Sequence, residues 1–178
     1  MKALYFLIPL FMVNACKPQT GPAISSGNTN METIENSNTG CPEVGTCSVV
    51  LHKNKSLVVK EDGTGAMYPE MVQSENMVVE YTYLKEGPAG TADGNYSETI
   101  HFEIPTATTT LNKTNTALSD VKLLYGKHCF CKGEAGYYEV TDGSLQLTKN
   151  AGSISFDLKF KVGKTSQVVS HIKETVKM

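Results

Sequence analysis

The chain has 178 residues, with 18 acidic and 16 basic side chains and a formal net charge of -2 at pH 7. Every basic side chain is Lys, and there is no Arg and no Trp. The length fits one domain with or without a tail, and a slightly acidic chain without Arg argues against a nucleic-acid partner and lacks the bidentate clamp for phosphate or carboxylate.

Lys2 precedes an apolar run from Ala3 to Val13. As a helix this run is about half as long as a bilayer core is thick, which favours a signal peptide over a membrane span. It ends Val13-Asn14-Ala15-Cys16. A small residue directly before a Cys, after a short apolar core, resembles the lipobox of bacterial lipoproteins. That resemblance implies removal of residues 1–15, a diacylglyceryl group on the Cys16 thiol and an acylated new N-terminus. Each buried methylene adds about 0.8 kcal/mol, so two or three chains hold far more firmly than one. The membrane is then a partner through lipid alone. Lys17 and the absence of an acidic run through Gly21 are similar to outer-membrane sorting, facing the periplasm, with the cell surface as the alternative.

Residues 16–40 read as a lipidated Cys and a disordered tether, because Gly, Pro, Ser, Thr and Asn dominate and few side chains could join a core. As a coil of 24 residues, 17–40 spans roughly 25–30 Å. Residues 41–178 read as a single β domain. Ser48–His52 and Leu57–Lys60 flank Lys53-Asn54-Lys55 and predict a hairpin. Asp62–Asn76 reads as a long loop. Met77–Leu84 is rich in β-branched and aromatic residues. Glu86–Asn95 is a second long loop, and such loops are where binding surfaces usually sit. Thr99–Ile104 alternates, as does Ser153–Val162. Val121–Cys131 is a strand candidate with Gly126 as a bulge. Asp142-Gly143 predicts a hairpin between Tyr137–Val140 and Ser144–Thr148. Gln167–Met178 fits a strand better than a helix. The sum is an all-β fold of about eight to nine strands, an antiparallel β-sandwich or small β-barrel.

Five cysteines are an odd set. Lipidation of Cys16 leaves Cys41, Cys47, Cys129 and Cys131 as disulfide candidates in an exported domain. On one strand Cys129 and Cys131 would stand about 6.5–7 Å apart, too far for easy pairing. The favoured expectation joins Cys41 and Cys47 to Cys129 and Cys131, each bridge contributing about 4.5 kcal/mol. The alternative pairs Cys41 with Cys47 and leaves Cys-Phe-Cys as a strained or redox-active unit. Metal use, helped by His128, fits the spacings poorly, because structural zinc sites favour Cys-x2-Cys.

Catalytic signals are weak. His52, His101, His128 and His171 fall on different strands and read as strand-face residues, and pairing any with Asp120, Asp142 or Asp157 is unspecific. No Gly-x-Ser-x-Gly elbow, His-Glu-x-x-His, P-loop or dinucleotide fingerprint occurs. No catalytic, cofactor or metal residues are therefore assigned. Tyr81, Tyr83, Tyr137 and Tyr138 read mostly as core. The segment Leu123–Leu147 resembles uncharacterised small lipoproteins of Bacteroidota-type bacteria, which adds localisation and no chemistry. The expected function is a non-enzymatic, lipid-anchored envelope protein that binds a partner or has a structural role. The alternative is a lipocalin-like barrel carrying a small hydrophobic ligand in an internal cavity.

Overall fold

Alternating apolar residues give each strand one dry face, and the dry faces meet between two sheets. The computed structural model describes residues 33–35, 40–91 and 93–178. The signal segment, Cys16 and residues 17–32 lie outside the described residues. The larger sheet has the order β1 (Thr33–Glu35), β2 (Thr46–Glu61), β3 (Met67–Lys85), β4 (Tyr96–Ile104), β6 (Leu124–His128), β7 (Gly136–Glu139). The smaller has the order β10 (His171–Lys177), β9 (Ser153–Phe160), β8 (Gly143–Lys149), β5 (Thr110–Thr114). All pairings are antiparallel. The sheets form a sandwich and do not close into a barrel.

Register explains the core. Val79, Tyr81, Ile100 and Phe102 point inward from β3 and β4 and meet Leu145, Leu147, Phe156 and Leu158 from β8 and β9. Phe102 packs edge-on against Phe156, with centroids 5.2 Å apart. Full burial of one such side chain contributes roughly 1.5–3 kcal/mol. Ile172 and Val176 complete the layer from β10, so the C-terminal segment is a strand, as expected.

Several local expectations change. Lys53-Asn54-Lys55 is no turn: β2 runs through it with an irregular register against β3, and Asn54 takes a left-handed φ of 59°. The hairpin turn lies instead at Asp62–Ala66, where the Asp62 carboxylate accepts from the N–H groups of Thr64 (2.7 Å) and Ala66 (3.0 Å). Most of the expected 62–76 loop is therefore strand, and the hairpin becomes a long arm. Pro69 is tolerated there because β4 pairs with β3 only from Met77 onward, leaving an open edge. Asp142-Gly143 joins no hairpin, since β7 belongs to the larger sheet and β8 to the smaller. The turn is a change of sheet. Gly126 is no bulge but sits in register between Thr99 and Tyr137, and an added Cβ there would strike both side chains. Val121 ends a 3-10 helix, Asn115–Val121. Part of the expected tether, Thr33–Glu35, is an edge strand on β2.

The favoured disulfide connectivity is overturned. Cys41 pairs with Cys47, and Cys129 with Cys131. β6 stops at His128, so the second pair is not on a strand and its Cα atoms come to 5.2 Å.

Candidate functional site

Three features stand out: a histidine cluster outside the larger sheet, buried charges between the sheets, and a polar concave face on the smaller sheet.

The register brings three of the four histidines onto one outer face. His52 on β2, His101 on β4 and His128 at the end of β6 share that face with Glu80 and Tyr137. The His52 Nε2 lies 2.7 Å from a Glu80 carboxylate oxygen, and the His101 Nε2 lies 3.8 Å from the same oxygen. The His52 hydrogen bond leads in holding the Glu80 carboxyl below its usual range. Burial leads in pushing the His101 imidazole down, against the pull of Glu80. Burial also lowers His128, whose Nε2 is 3.2 Å from the Thr99 hydroxyl. His171 lies apart, on the smaller sheet, 2.9 Å from Asp157. Asp120 pairs with Lys113 at 2.6 Å, and the Asp142 carbonyl accepts from the Lys161 N–H. Of the aspartates weighed as partners, Asp157 therefore meets a histidine and Asp120 meets a lysine. No group of three or more metal-ligating side chains converges among the described residues.

The second feature was missed by the sequence reading. Glu98, Lys127 and Glu174 are charged yet buried, and each falls on the inward parity of its strand. The Glu98 carboxylate accepts from the N–H groups of Val168 (2.6 Å) and Val169 (2.8 Å) and from the Tyr96 hydroxyl. Lys127 donates to Glu134 (2.5 Å) and to the Ser166 hydroxyl (2.7 Å). The Lys127 hydrogen bond is the main reason the Glu134 carboxyl falls to about 2. Burial raises the neighbouring phenols of Tyr81, Tyr96 and Tyr125. These bonds fasten the loops before β7 and before β10 to the core. The signal was available, because Glu98 keeps step with Ile100 and Phe102.

The third feature is built from rows. Thr110, Thr148, Ser155 and Thr175 are register partners across β5, β8, β9 and β10. Asn112, Gln146, Asp157 and Lys173 form the adjacent row. Both rows line a hollow of about 570 Å³. Strands lie about 4.8 Å apart, so each row is about 14 Å long. A second hollow, about 310 Å³, lies between the hairpin arm and the 3-10 helix, lined by Leu57, Val59, Leu123 and Val140 with Lys122 and Glu139. A third, about 940 Å³, opens among Val44, Tyr83, Pro88, Tyr96 and Val168. None of these three is lined by a histidine.

No family model, curated protein or solved structure matches the chain.

Proposed function

We propose that the protein is a lipid-anchored envelope module, held at the outer membrane through Cys16, that binds an uncharged hydroxyl-rich chain such as a glycan strand without transforming it. The observation that carries this reading is the pair of register-aligned polar rows in the concave face of β5, β8, β9 and β10. Hydroxyls, amides, one carboxylate and one ammonium there offer donors and acceptors in a regular array, with one charge of each sign. Recognition rests on hydrogen bonds, since no Trp, Tyr or Phe stands on the outer side of these strands. No histidine lines any of the three hollows, so the binding reading does not draw on them.

Calorimetric titration with soluble envelope oligosaccharides tests the face. Replacing Asn112 and Gln146 together by Ala is expected to weaken binding roughly tenfold, from two hydrogen bonds of about 0.5–1.5 kcal/mol each. Unchanged affinity in that variant would remove this face from the proposal. Intact mass of protein made in a lipoprotein-processing host tests the anchor separately, and an unmodified Cys16 would refute it.

A second reading, carriage of a small hydrophobic ligand, is favoured by the apolar hollow under the hairpin arm. It needs no barrel. A co-purified apolar molecule displaced by Val140→Phe would support it over the first.

A further inference from the structure

Apolar exposure is uneven on this molecule. Among the described residues, four large apolar or aromatic side chains are substantially exposed: Phe130 at 94%, Val44 at 63%, Val168 at 50% and Tyr68 at 40%. Three of them stand at one end of the sandwich. The register fixes that end, because Thr46 pairs with Leu84, Lys85 with Tyr96, Ser97 with His128, and Lys127 with Gly136. Val44 precedes β2 there, and its carbonyl accepts from the Tyr83 hydroxyl at 2.6 Å. Val168 is held there by its N–H on Glu98. Phe130 follows β6. Tyr68 sits near the hairpin turn, at the opposite end.

Val44 and Val168 line one hollow there, and Phe130 stands on the β6 side. Three strand spacings separate the β2 side from the β6 side, about 14 Å. Phe130 sits inside the Cys129–Cys131 bridge. The N–H groups of Glu134 and Ala135 close the turn on the Cys131 carbonyl, at 3.2 and 3.3 Å. The buried Lys127 holds Glu134 from below. A large aromatic ring is thus presented to solvent on a turn fixed at both sides, at little further cost in ordering. Lys85 and Lys132 rim this end, but so do Glu43 and Glu86, so its attraction to a surface is apolar rather than ionic. The first described residues, Thr33–Glu35, pair with Val50, Val49 and Ser48 in the half of β2 nearer this end, and the chain then runs toward the end itself, where the Cys41–Cys47 loop lies.

We infer that this end is a foot that rests on the bilayer, with Phe130 seated in the interfacial layer and Val44 and Val168 beside it. The inference deepens the proposed anchoring and rests on it for orientation. Aromatic side chains favour the membrane interface, and one ring with two valines is a weak binder alone. Tethering by lipid makes the contact intramolecular, where weak binding suffices. The foot would leave the concave rows of the smaller sheet free for ligand.

The absence of Trp gives a clean reporter. The full chain carrying Phe130→Trp, or Tyr68→Trp as the opposite-end control, is placed on vesicles of phosphatidylethanolamine and phosphatidylglycerol. Intact mass reports the lipid on Cys16. Seated as inferred, the indole at position 130 emits at shorter wavelength and is quenched by brominated acyl chains, whereas the indole at position 68 shows neither effect. No quenching at position 130, equal quenching at both positions, or quenching only at position 68 overturns the inference. Should Cys16 carry no lipid, the anchoring reading fails, but the same chain with vesicles in excess still decides the foot by the same contrast.

Discussion

Glu98 and Glu103 stand on one strand, β4, about 17 Å apart, and an odd separation puts them on opposite faces. Glu98 points into the sandwich at the end near the disulfides and holds the segment before β10 by two backbone N–H groups and the Tyr96 phenol. Glu103 points outward at the other end and holds the hairpin arm. It accepts from Ser56 (2.6 Å), the Leu57 N–H (2.8 Å), Asn76 (2.6 Å) and the Lys122 ammonium (2.8 Å). Both carboxylates fasten a distant segment to β4. Their difference lies in company: Lys122 stands beside Glu103, whereas Lys127, the register partner of Glu98, is engaged by Glu134. A buried carboxylate satisfied by neutral donors leaves those donors stranded when it is removed; one with a partly exposed cation lets water take over.

That contrast sets an order of effects. Glu98→Ala should be the most damaging substitution, destabilising by roughly 2–4 kcal/mol through an orphaned buried N–H at Val169, at about 1–3 kcal/mol, and a part-buried one at Val168 that water can partly satisfy. Chemical denaturation measures it, and a loss below that of Glu103→Ala would break the comparison. Removing the Cys41–Cys47 bridge with a double Ala variant should cost about 2 kcal/mol, because its loop is short in the chain-entropy model. Circular dichroism should still show a folded sheet. Glu103→Ala should cost about 1–3 kcal/mol, from the stranded Leu57 N–H.

The same residue should govern an acid limb. Burial pushes the Glu103 carboxyl up, but the bonds from Lys122, Ser56, Leu57 and Asn76 together hold it below 4.5. A lowered folded pKa means its stability is present above about 4.5 and is lost as pH falls through the folded value. His101 and His128, lowered by burial from 6.5, bring an earlier loss as pH falls below about 6.5, since the unfolded chain takes up those protons first. Thermal melts against pH should show both limbs, and Glu103→Ala should flatten only the lower. Smallest of all, the double variant of Glu98 and Glu103 should depart from additivity by no more than about 0.5 kcal/mol, because the two share no partner. A larger coupling would mean that β4 transmits strain between its ends.

The strands that alternate cleanly are legible from residues alone. Ile154 to Phe160 and Ile100 to Ile104 need no partner to declare their dry face. Sequence and structure part where local chemistry carries no information about distant pairing. Asn54 has turn character, and its left-handed backbone is present, but β3 runs alongside and turns it into an irregularity within a strand. Asp142-Gly143 bends the chain as expected, yet nothing local says that the next strand joins the other sheet. The disulfide expectation fails for a similar reason: a strand through Cys131 would hold the two sulfurs of Cys-Phe-Cys apart, and β6 stops at His128 instead. For the candidate site, the four histidines are visible one by one. The convergence of three of them around Glu80 and Tyr137 depends on register across β2, β3, β4, β6 and β7, and the alignment of the polar rows likewise depends on register in the smaller sheet.

The Cys41–Cys47 bridge also has a mechanical meaning. Load applied through the N-terminal segment meets β1 first, three residues paired to the edge of β2 and peeled from the Thr33 end. Beyond it the force reaches Cys41 and passes through the sulfur bridge directly into Cys47 of β2. Residues 42–46 are thereby shielded, and the pull is delivered to a strand zipped along nearly its whole length to β3. A force–extension trace should show a shorter released length in the oxidised protein than in the reduced one. The bridge works less as a brace for the fold than as a shackle between the leading segment and the fixed wall of the domain.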